Sequence, residues 1–466
     1  SELNNNEKKY WLGICVSDNK NNNGYGTKTI YELLKWCEHN IKMVHLSVDY
    51  DNIIAINFYK KYGFILDDSQ DDKSIIFMKK VTSIYNTVKL DVSYGEALDK
   101  LSILEIKLNK IKDERKNDVQ KEYDIIFKQI KSIYNNDINY FYYLLKSINY
   151  NIWILQDEYR LTTDNNEKNR LCNVILIEND RRFQVKMKIN NYLNSDIKEQ
   201  KGYNKKKAFL YTHQGLGDII NCIGMIRYLS TLYDNVTIVC KKVFHDNVKM
   251  LFENDKSINF YLYEKNFEDT MFAFDLETLI SINNEYEVFL CGQYCLPEKK
   301  PVEMLPFSFY EHVGLNPIVY RTYSYIPRII ESKQLYNSVI NINKNYIVIH
   351  ETCSQGKLFD FVESCTNVNI DEILIINVNK NIYDTGHKFY DIAQECVMKP
   401  VLYYVDLIEN SLMNILSDSC MFCLALQLNI KTKLNRYISR NQDYVYLWDT
   451  KYGFNSEKHP KFKILN

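Results

Sequence analysis

Along residues 8 to 80 the apolar positions change period several times. "KYWLGICVS" and "MVHLSV" are apolar runs of strand length, "YGTKTIYELLKWCEHN" and "NIIAINFYKKYG" repeat at helical intervals, and "KSIIFMKKV" closes as a strand. From residue 91 to 195 the period is helical throughout. Leu98, Leu101, Leu104, Leu108 and Ile111 form an apolar stripe on one long charged helix that Ser93 and Glu96 open as a capping box. More helix is predicted over 140–159 and 169–190, with its charges on solvated faces. The polar stretch "NSDIKEQKGYNKKK" (194–207) reads as a linker. Beyond it, "KAFLYTH", "NVTIVCKK", "NYIVIH", "EILIINVN" and "PVLYYV" are strand candidates, with "IINCIGMIRYLSTLY" and other helices among them. This alternation implies parallel α/β units.

The pattern divides the 466 residues into a small α/β domain (1–82), an all-α middle (88–195) and two Rossmann-like α/β domains (206–335 and 336–466). The predicted fold class is therefore multidomain α/β. With 46% hydrophobic and 25% charged residues the chain is globular, not disordered. Its 58 basic and 59 acidic side chains argue against a nucleic-acid binder. No apolar run is long enough for a membrane span, and "SELNNNEKKYW" lacks the apolar core of a signal peptide. The 12 cysteines are scattered through mostly apolar segments, as expected of buried thiols in a reducing, cytoplasmic setting. "CGQYC" (Cys291, Cys295) and "CMFC" (Cys420, Cys423) are close pairs without the further ligands of a zinc site, so no metal is expected.

Two stretches carry candidate chemistry. In the first, Gly24 and Gly26 stand just before a helix, where a glycine bend and bare helix-start N–H groups suit an anion. A downstream helix, "DNIIAINFYKKYGF", adds Asn52, Ala55, Phe58, Tyr59, Gly63 and Phe64. Loop and helix together resemble the GNAT acyltransferase family, whose glycine loop corresponds to Asn21 through Gly26. The resemblance implies acetyl-CoA as cofactor, with its pyrophosphate on the backbone around Asn23, Gly24, Tyr25, Gly26 and Thr27. Its pantetheine arm would lie along the edge of "WLGICV", and Tyr59 would protonate the leaving thiolate. Three departures stand out. Asn21 occupies a place usually held by Gln or Arg. Ser47 sits where some members carry a glutamate base, leaving water, Asp49 or His45 for that role. Little sequence precedes the first strand, so the C-terminal half of such a domain is expected here.

The second stretch is Gly215-Leu216-Gly217-Asp218 between a strand and a helix. Ile220 replaces the third glycine of a dinucleotide fingerprint, which argues against NAD. The turn resembles the first loop of heptosyltransferase-type GT-B glycosyltransferases. That likeness implies Asp218 as the base toward an acceptor hydroxyl; the plain alternative is a helix cap. "YVDLIENSLMNILSDSCMFCLALQLN" resembles the donor side of the same family, with Glu409, Asp418, Ser419 and Ala425 in its motif places. "VIHETCSQGK" adds His350, Ser354 and Lys357 as phosphate or sugar contacts, with His387 and Arg440 as weaker candidates. The helical middle resembles an uncharacterised helical family of bacterial proteins, and its Asp99, Glu105, Asp157 and Glu158 are read as surface charges. The sequence thus predicts an N-acetyltransferase of the GNAT kind, acting on an amine such as an amino sugar, fused to a GT-B-type module with a nucleotide-sugar donor. Two other readings stand beside it: a protein N-acetyltransferase with passive C-terminal domains, and a non-catalytic nucleotide- or sugar-binding assembly protein. The partners expected are small molecules, and the sequence sets no oligomeric state.

Overall fold

The computed structural model describes residues 10–14, 24–41, 43–67, 75–81, 90–202, 206–212, 215–264, 285–291, 307–354, 356–364, 368–432, 434–438 and 462–464. The chain forms two compact units, Ser1–Asp91 and Val92–Asn466.

The first unit is a four-stranded sheet with two helices. Its strands are β1 (Tyr10–Trp11), β2 (Met43–Asp49), β3 (Ile65–Leu66) and β4 (Ile75–Val81), in the order β1-β2-β4-β3. Val44, Leu46 and Val48 alternate along β2. They pack with Met78 against Ile30, Leu34 and Cys37 of α1 (Tyr25–Asn40) and Ile56 and Tyr59 of α2 (Ile53–Lys61). This alternation puts His45, Ser47 and Asp49 on the opposite face. β1 pairs in parallel with β2 only at Tyr10↔Val44 and Trp11↔His45, and a last bond runs from the Leu12 N–H to the His45 carbonyl (2.7 Å). Within the described residues 10–14 the first strand spans Tyr10–Trp11; the rest of the predicted strand, Cys15 included, lies outside the described set.

The second unit opens with four helices: α3 (Tyr94–Lys110), α4 (Arg115–Ile130), α5 (Asn136–Leu161) and α6 (Asn165–Tyr192). Leu98 and Leu101 of the predicted stripe pack with Phe141, Leu145, Ile148, Val185 and Ile189 in their shared core. Ser93 caps α3 by accepting the Glu96 N–H at 3.2 Å. The single long helix expected here breaks at Ile111, whose backbone is extended (ψ 129°), and α4 folds back onto α3.

The charges of this block depart from the solvated faces predicted. Asp99 is buried and accepts from Asn149 (2.7 Å); burial, partly opposed by that bond, raises its carboxyl above the usual range. Arg181, Lys186 and Lys188 of α6 are buried as well. Lys188 meets Asp255 at 2.9 Å, and Arg181 donates to Thr231 at 3.2 Å, so α6 is bonded to the α/β part that follows. Periodicity reveals an apolar stripe but not a second, polar interface on the same helix.

The α/β part holds two parallel sheets. The first comprises β5 (Lys207–Tyr211), β6 (Asn235–Lys241), β7 (Ile258–Tyr263) and β8 (Glu287–Leu290), in the order β7-β6-β5-β8. After β5 the predicted single helix is two pieces, α7 (Leu216–Asn221) and α8 (Ile223–Leu232). The Tyr310 hydroxyl enters the gap, accepting the Met225 N–H (3.1 Å) and donating to the Asn221 carbonyl (3.0 Å). α9 (His245–Phe252) follows β6.

The second sheet comprises β9 (Tyr346–His350), β12 (Leu374–Asn377), β13 (Met413–Ser417), β14 (Asn435–Ile438) and β15 (Phe462–Ile464), in the order β12-β9-β13-β14-β15. A hairpin of β10 (Thr352–Cys353) and β11 (Gly356–Lys357) follows β9. All residues of β9 are buried, as an interior strand of a parallel sheet requires. "PVLYYV" is not the predicted strand. Pro400 (φ −53°) starts a 3-10 turn, Val401–Tyr404, that runs into the helix Val405–Asn410. A buried apolar run of this length fits either state; here the Tyr404 hydroxyl donates to the Cys396 carbonyl at 2.6 Å. One apolar core spans both sheets.

Candidate functional site

In the first unit, Gly24 takes φ +77°, a conformation that suits glycine, and so turns the chain into α1. Gly26 and Thr27 lie in the opening turn, whose N–H groups have no acceptor within the helix and which carries no acidic side chain. Asn21 and Asn23 fall outside the described residues. Asn52 is occupied otherwise: it caps α2, its carbonyl oxygen accepting the Ala55 N–H at 3.0 Å. Tyr59 is buried, edge-on to Phe58 (5.5 Å) and Phe64 (5.7 Å), and burial raises its phenol above the ordinary value.

On the sheet face opposite these helices lies a cluster that sequence reasoning saw only in part. His45 Nδ1 is 3.4 Å from Asp67 Oδ2, and the Lys79 ammonium donates to Asp67 Oδ1 at 3.0 Å. Both His45 and Asp67 are buried. The Trp11 ring leans on His45 with centroids 5.7 Å apart. His45 was one of three candidate bases; Asp67 went unremarked, because its place in "FILDD" carries no motif.

In the second unit the two parallel sheets meet through short helices. Gly217 packs against the helix Cys420–Ala425: a Cβ there would come 3.2 Å from Cys423 Sγ and 3.4 Å from the Cys420 backbone nitrogen. Asn221 Nδ2 donates to Cys423 Sγ (3.3 Å), and Gln427 donates to the Ile220 carbonyl (2.5 Å). The Gly215–Asp218 turn and the Asp418–Ser419 turn are therefore neighbours, as two open α/β sheets with facing carboxyl ends require. Asp218 Oδ2 accepts the Gly215 N–H at 2.7 Å, the reciprocal bond of a helix cap.

His350 ends β9 beside Ser417, which ends β13. Its Nδ1 lies 3.0 Å from Ser417 Oγ and 2.9 Å from Ser419 Oγ. Ser417 gives its proton to the Thr352 carbonyl (2.5 Å), and Ser419 gives its own to the Ser417 carbonyl (3.1 Å). With both hydroxyl protons on these carbonyls, a single Nδ1–H is shared by the two oxygens and the lone pair lies on Nε2; a Ser419 proton turned to Nδ1 reverses that tautomer. Burial pushes the ring's pKa down to about 4, so at neutral pH it is uncharged. Ser417 escaped sequence reasoning because the motif begins one residue later, at Asp418.

The remaining candidates separate from this cluster. Glu409 is held by Arg328 in a bidentate pair, 2.7 Å for each bond, and accepts the Asn429 N–H at 2.9 Å. Lys357 lies on the exposed hairpin, paired with Asp360. His387 bonds Asp371 at 3.0 Å, and Arg440 lies outside the described residues. Among the described residues no group of three or more His, Cys, Asp or Glu is placed to hold a metal, and no helix is long and apolar enough to cross a membrane. Of the described cysteines, Cys37, Cys222, Cys240, Cys291 and Cys396 are buried as expected, while Cys172 is exposed.

Residues 2–64 match the Acetyltransferase (GNAT) family. Residues 88–213 match a family of unknown function (DUF6165), a span that runs through all four helices α3 to α6 and includes β5. No curated protein matches the chain. Among solved structures, the chain is similar to the ADP-heptose LPS heptosyltransferase II of E. coli, with 9% identity, 56% of this chain and 90% of that chain covered, and a TM-score of 0.35. It is also similar to a glycosyl transferase family 9 protein of Veillonella parvula, with 10% identity, coverages of 50% and 80%, and a TM-score of 0.33. A third is the iron-containing dodecameric glycosyltransferase TibC of enterotoxigenic E. coli, with 12% identity, coverages of 51% and 59%, and a TM-score of 0.30.

Proposed function

We propose that the first unit transfers acetyl from acetyl-CoA to an amine, and that the second binds a nucleotide sugar between its two parallel sheets as part of glycan assembly. The acetyl transfer rests on one observation. Within the stretch that matches the GNAT family, the glycine bend opens α1 and, among the described residues, the β1–β2 ladder ends at Leu12, where an extended cofactor arm would pair. Tyr59 is the acid toward the CoA thiolate, its buried phenol staying protonated through the neutral range. The nucleotide sugar is supported by the meeting of the Gly215 and Ser419 turns beside His350. A neutral His350 offering a lone pair favours a hydroxyl of a sugar or ribose over a phosphate. An amino sugar as acetyl acceptor would give the fusion its sense, the acetylated sugar being the one transferred.

Calorimetric titration of the full chain with acetyl-CoA and with ADP-, UDP- and TDP-linked sugars tests both halves. Binding of both classes is expected. Acetylation of lysines or protein N-termini but never of an amino sugar would remove the coupling. A second reading, with a passive C-terminal cleft, draws on the commitment of Asp218 to its own helix cap and of Glu409 to Arg328. In that case acetyl-CoA binds and every nucleotide sugar fails to.

A further inference from the structure

We propose that His45, oriented by Asp67, is the base that takes the proton from the amine acceptor at the fork of β1 and β2, an inference that rests on reading this unit as an acetyl-CoA site. An amine reaches such a site largely as an ammonium ion and must lose a proton before it can attack. Ser47, where some GNAT members carry a glutamate, has no basic group to receive it.

The geometry favours His45 over Asp49 and water. The His45 carbonyl receives the last hydrogen bond between the two strands, so the residue stands where the strands part. Asp49 lies four residues further along β2 and pairs across to Ile75, away from that point. An ionised carboxylate only accepts, so Asp67 Oδ2, at an ion-pair distance of 3.4 Å from Nδ1, favours the tautomer with its proton on Nδ1 and the lone pair on Nε2. Lys79 secures the other oxygen of Asp67 at 3.0 Å. Around the ring, β1 contributes Trp11, itself backed by Phe77 of β4, and β3 leads into Asp67; among the described residues the charged groups on this side are Asp67 and Lys79.

Nε2 takes one proton from R–NH3+, and the freed lone pair adds to the thioester carbonyl. Collapse breaks the C–S bond, and the CoA thiolate takes the Tyr59 proton. The amide nitrogen then returns its surplus proton to the Tyr59 phenolate through solvent. The products are R–NH–CO–CH3, CoA thiol and one proton on His45, which solvent removes.

The test uses the full chain. Calorimetry with acetyl-CoA comes first, on the wild type and on Asp67→Asn. Carbethoxylation of His45 by diethyl pyrocarbonate is then followed by peptide mass spectrometry, with and without saturating acetyl-CoA. His45 is expected to react in the free protein and to be protected on the order of tenfold by acetyl-CoA. In Asp67→Asn the amide can present its NH2 to Nδ1 and pull the lone pair off Nε2. That variant is expected to bind acetyl-CoA as before while reacting on the order of tenfold more slowly at His45, as expected for the wrong tautomer. If acetyl-CoA binds and His45 is inert, unprotected, or equally reactive in Asp67→Asn, the assignment is overturned. If acetyl-CoA does not bind the wild type, the acyl-CoA reading fails first, and this inference goes with it.

Discussion

Tyr59 and His350 make opposite uses of burial. A buried phenol keeps its proton, and a buried imidazole gives its proton up, because the uncharged form is favoured in both. Tyr59→Phe keeps the packing against Phe58 and Phe64 and removes only the hydroxyl. It is expected to lower kcat for acetyl transfer on the order of 10²-fold with acetyl-CoA affinity unchanged. An unchanged kcat would make Tyr59 a packing residue. For His350 the folded pKa of about 4 lies below its ordinary value of 6.5. The unfolded chain therefore binds more protons between those values, and stability falls as the pH drops from 6.5 toward 4. In urea titrations across that window, the wild type should lose up to about 1.4 kcal/mol per pH unit relative to His350→Gln. Parallel curves for the two proteins would show that the ring is not buried in its neutral form.

At the scale of elements, close approach explains glycines that look like loop or ligand glycines in the sequence. Gly224 lies inside α8. A Cβ there would meet the Val319 carbonyl at 2.7 Å, the Tyr320 carbonyl at 2.9 Å and the Tyr310 hydroxyl at 2.9 Å. Alanine is the better helix former by about 1 kcal/mol, so an unhindered Gly224→Ala would stabilise. With backbone carbonyls in the way it is expected to destabilise by roughly 1–3 kcal/mol in chemical denaturation. The sign of the change alone decides between the two. Gly217 belongs with it: the pattern Gly-x-Gly-Asp suggested a ligand turn, and the structure spends that glycine on contact with the Cys420–Ala425 helix. Helix breaks follow the same logic. The break at Cys222 depends on a tyrosine 88 residues away, at position 310, which no local pattern reveals.

At the scale of the whole molecule, the chain is two compact units, so each should survive alone. Residues 92–466 expressed without the first unit are expected to unfold in one cooperative transition, to keep nucleotide-sugar binding and to lose acetyl-CoA binding. Calorimetry and thermal unfolding check all three. The helical block is expected not to separate from the sheets. Lys188–Asp255, Arg181–Thr231 and the Asn254 amide donated to Asp137 (2.6 Å) join it to the first sheet. Beginning the chain at residue 196 would remove Lys188, Arg181 and Asp137 together and open to solvent the face of the first α/β sheet that they close. Such a chain should be insoluble or molten where 92–466 is not.

The sequence by itself determined the elements whose period is long or whose cap is local. α1, α2, α5, α6 and the strands β2, β4, β5, β6 and β9 follow from spacing, and Ser93 caps α3 as its capping-box pattern predicts. It also carried the GNAT likeness, because each of its two motifs, Asn21–Gly26 and Asn52–Phe64, is contiguous in the chain. Only tertiary structure decided what depends on distant partners. It made Asp99 and Lys188 interior groups, turned "PVLYYV" into a helical segment, and committed Glu409 to Arg328. It brought Asp67 to His45 and Ser417 to His350. Such pairings join residues 22 and 67 positions apart through strand order, and strand order is fixed by which faces bury one another, a property of the assembled sheet that no single segment contains.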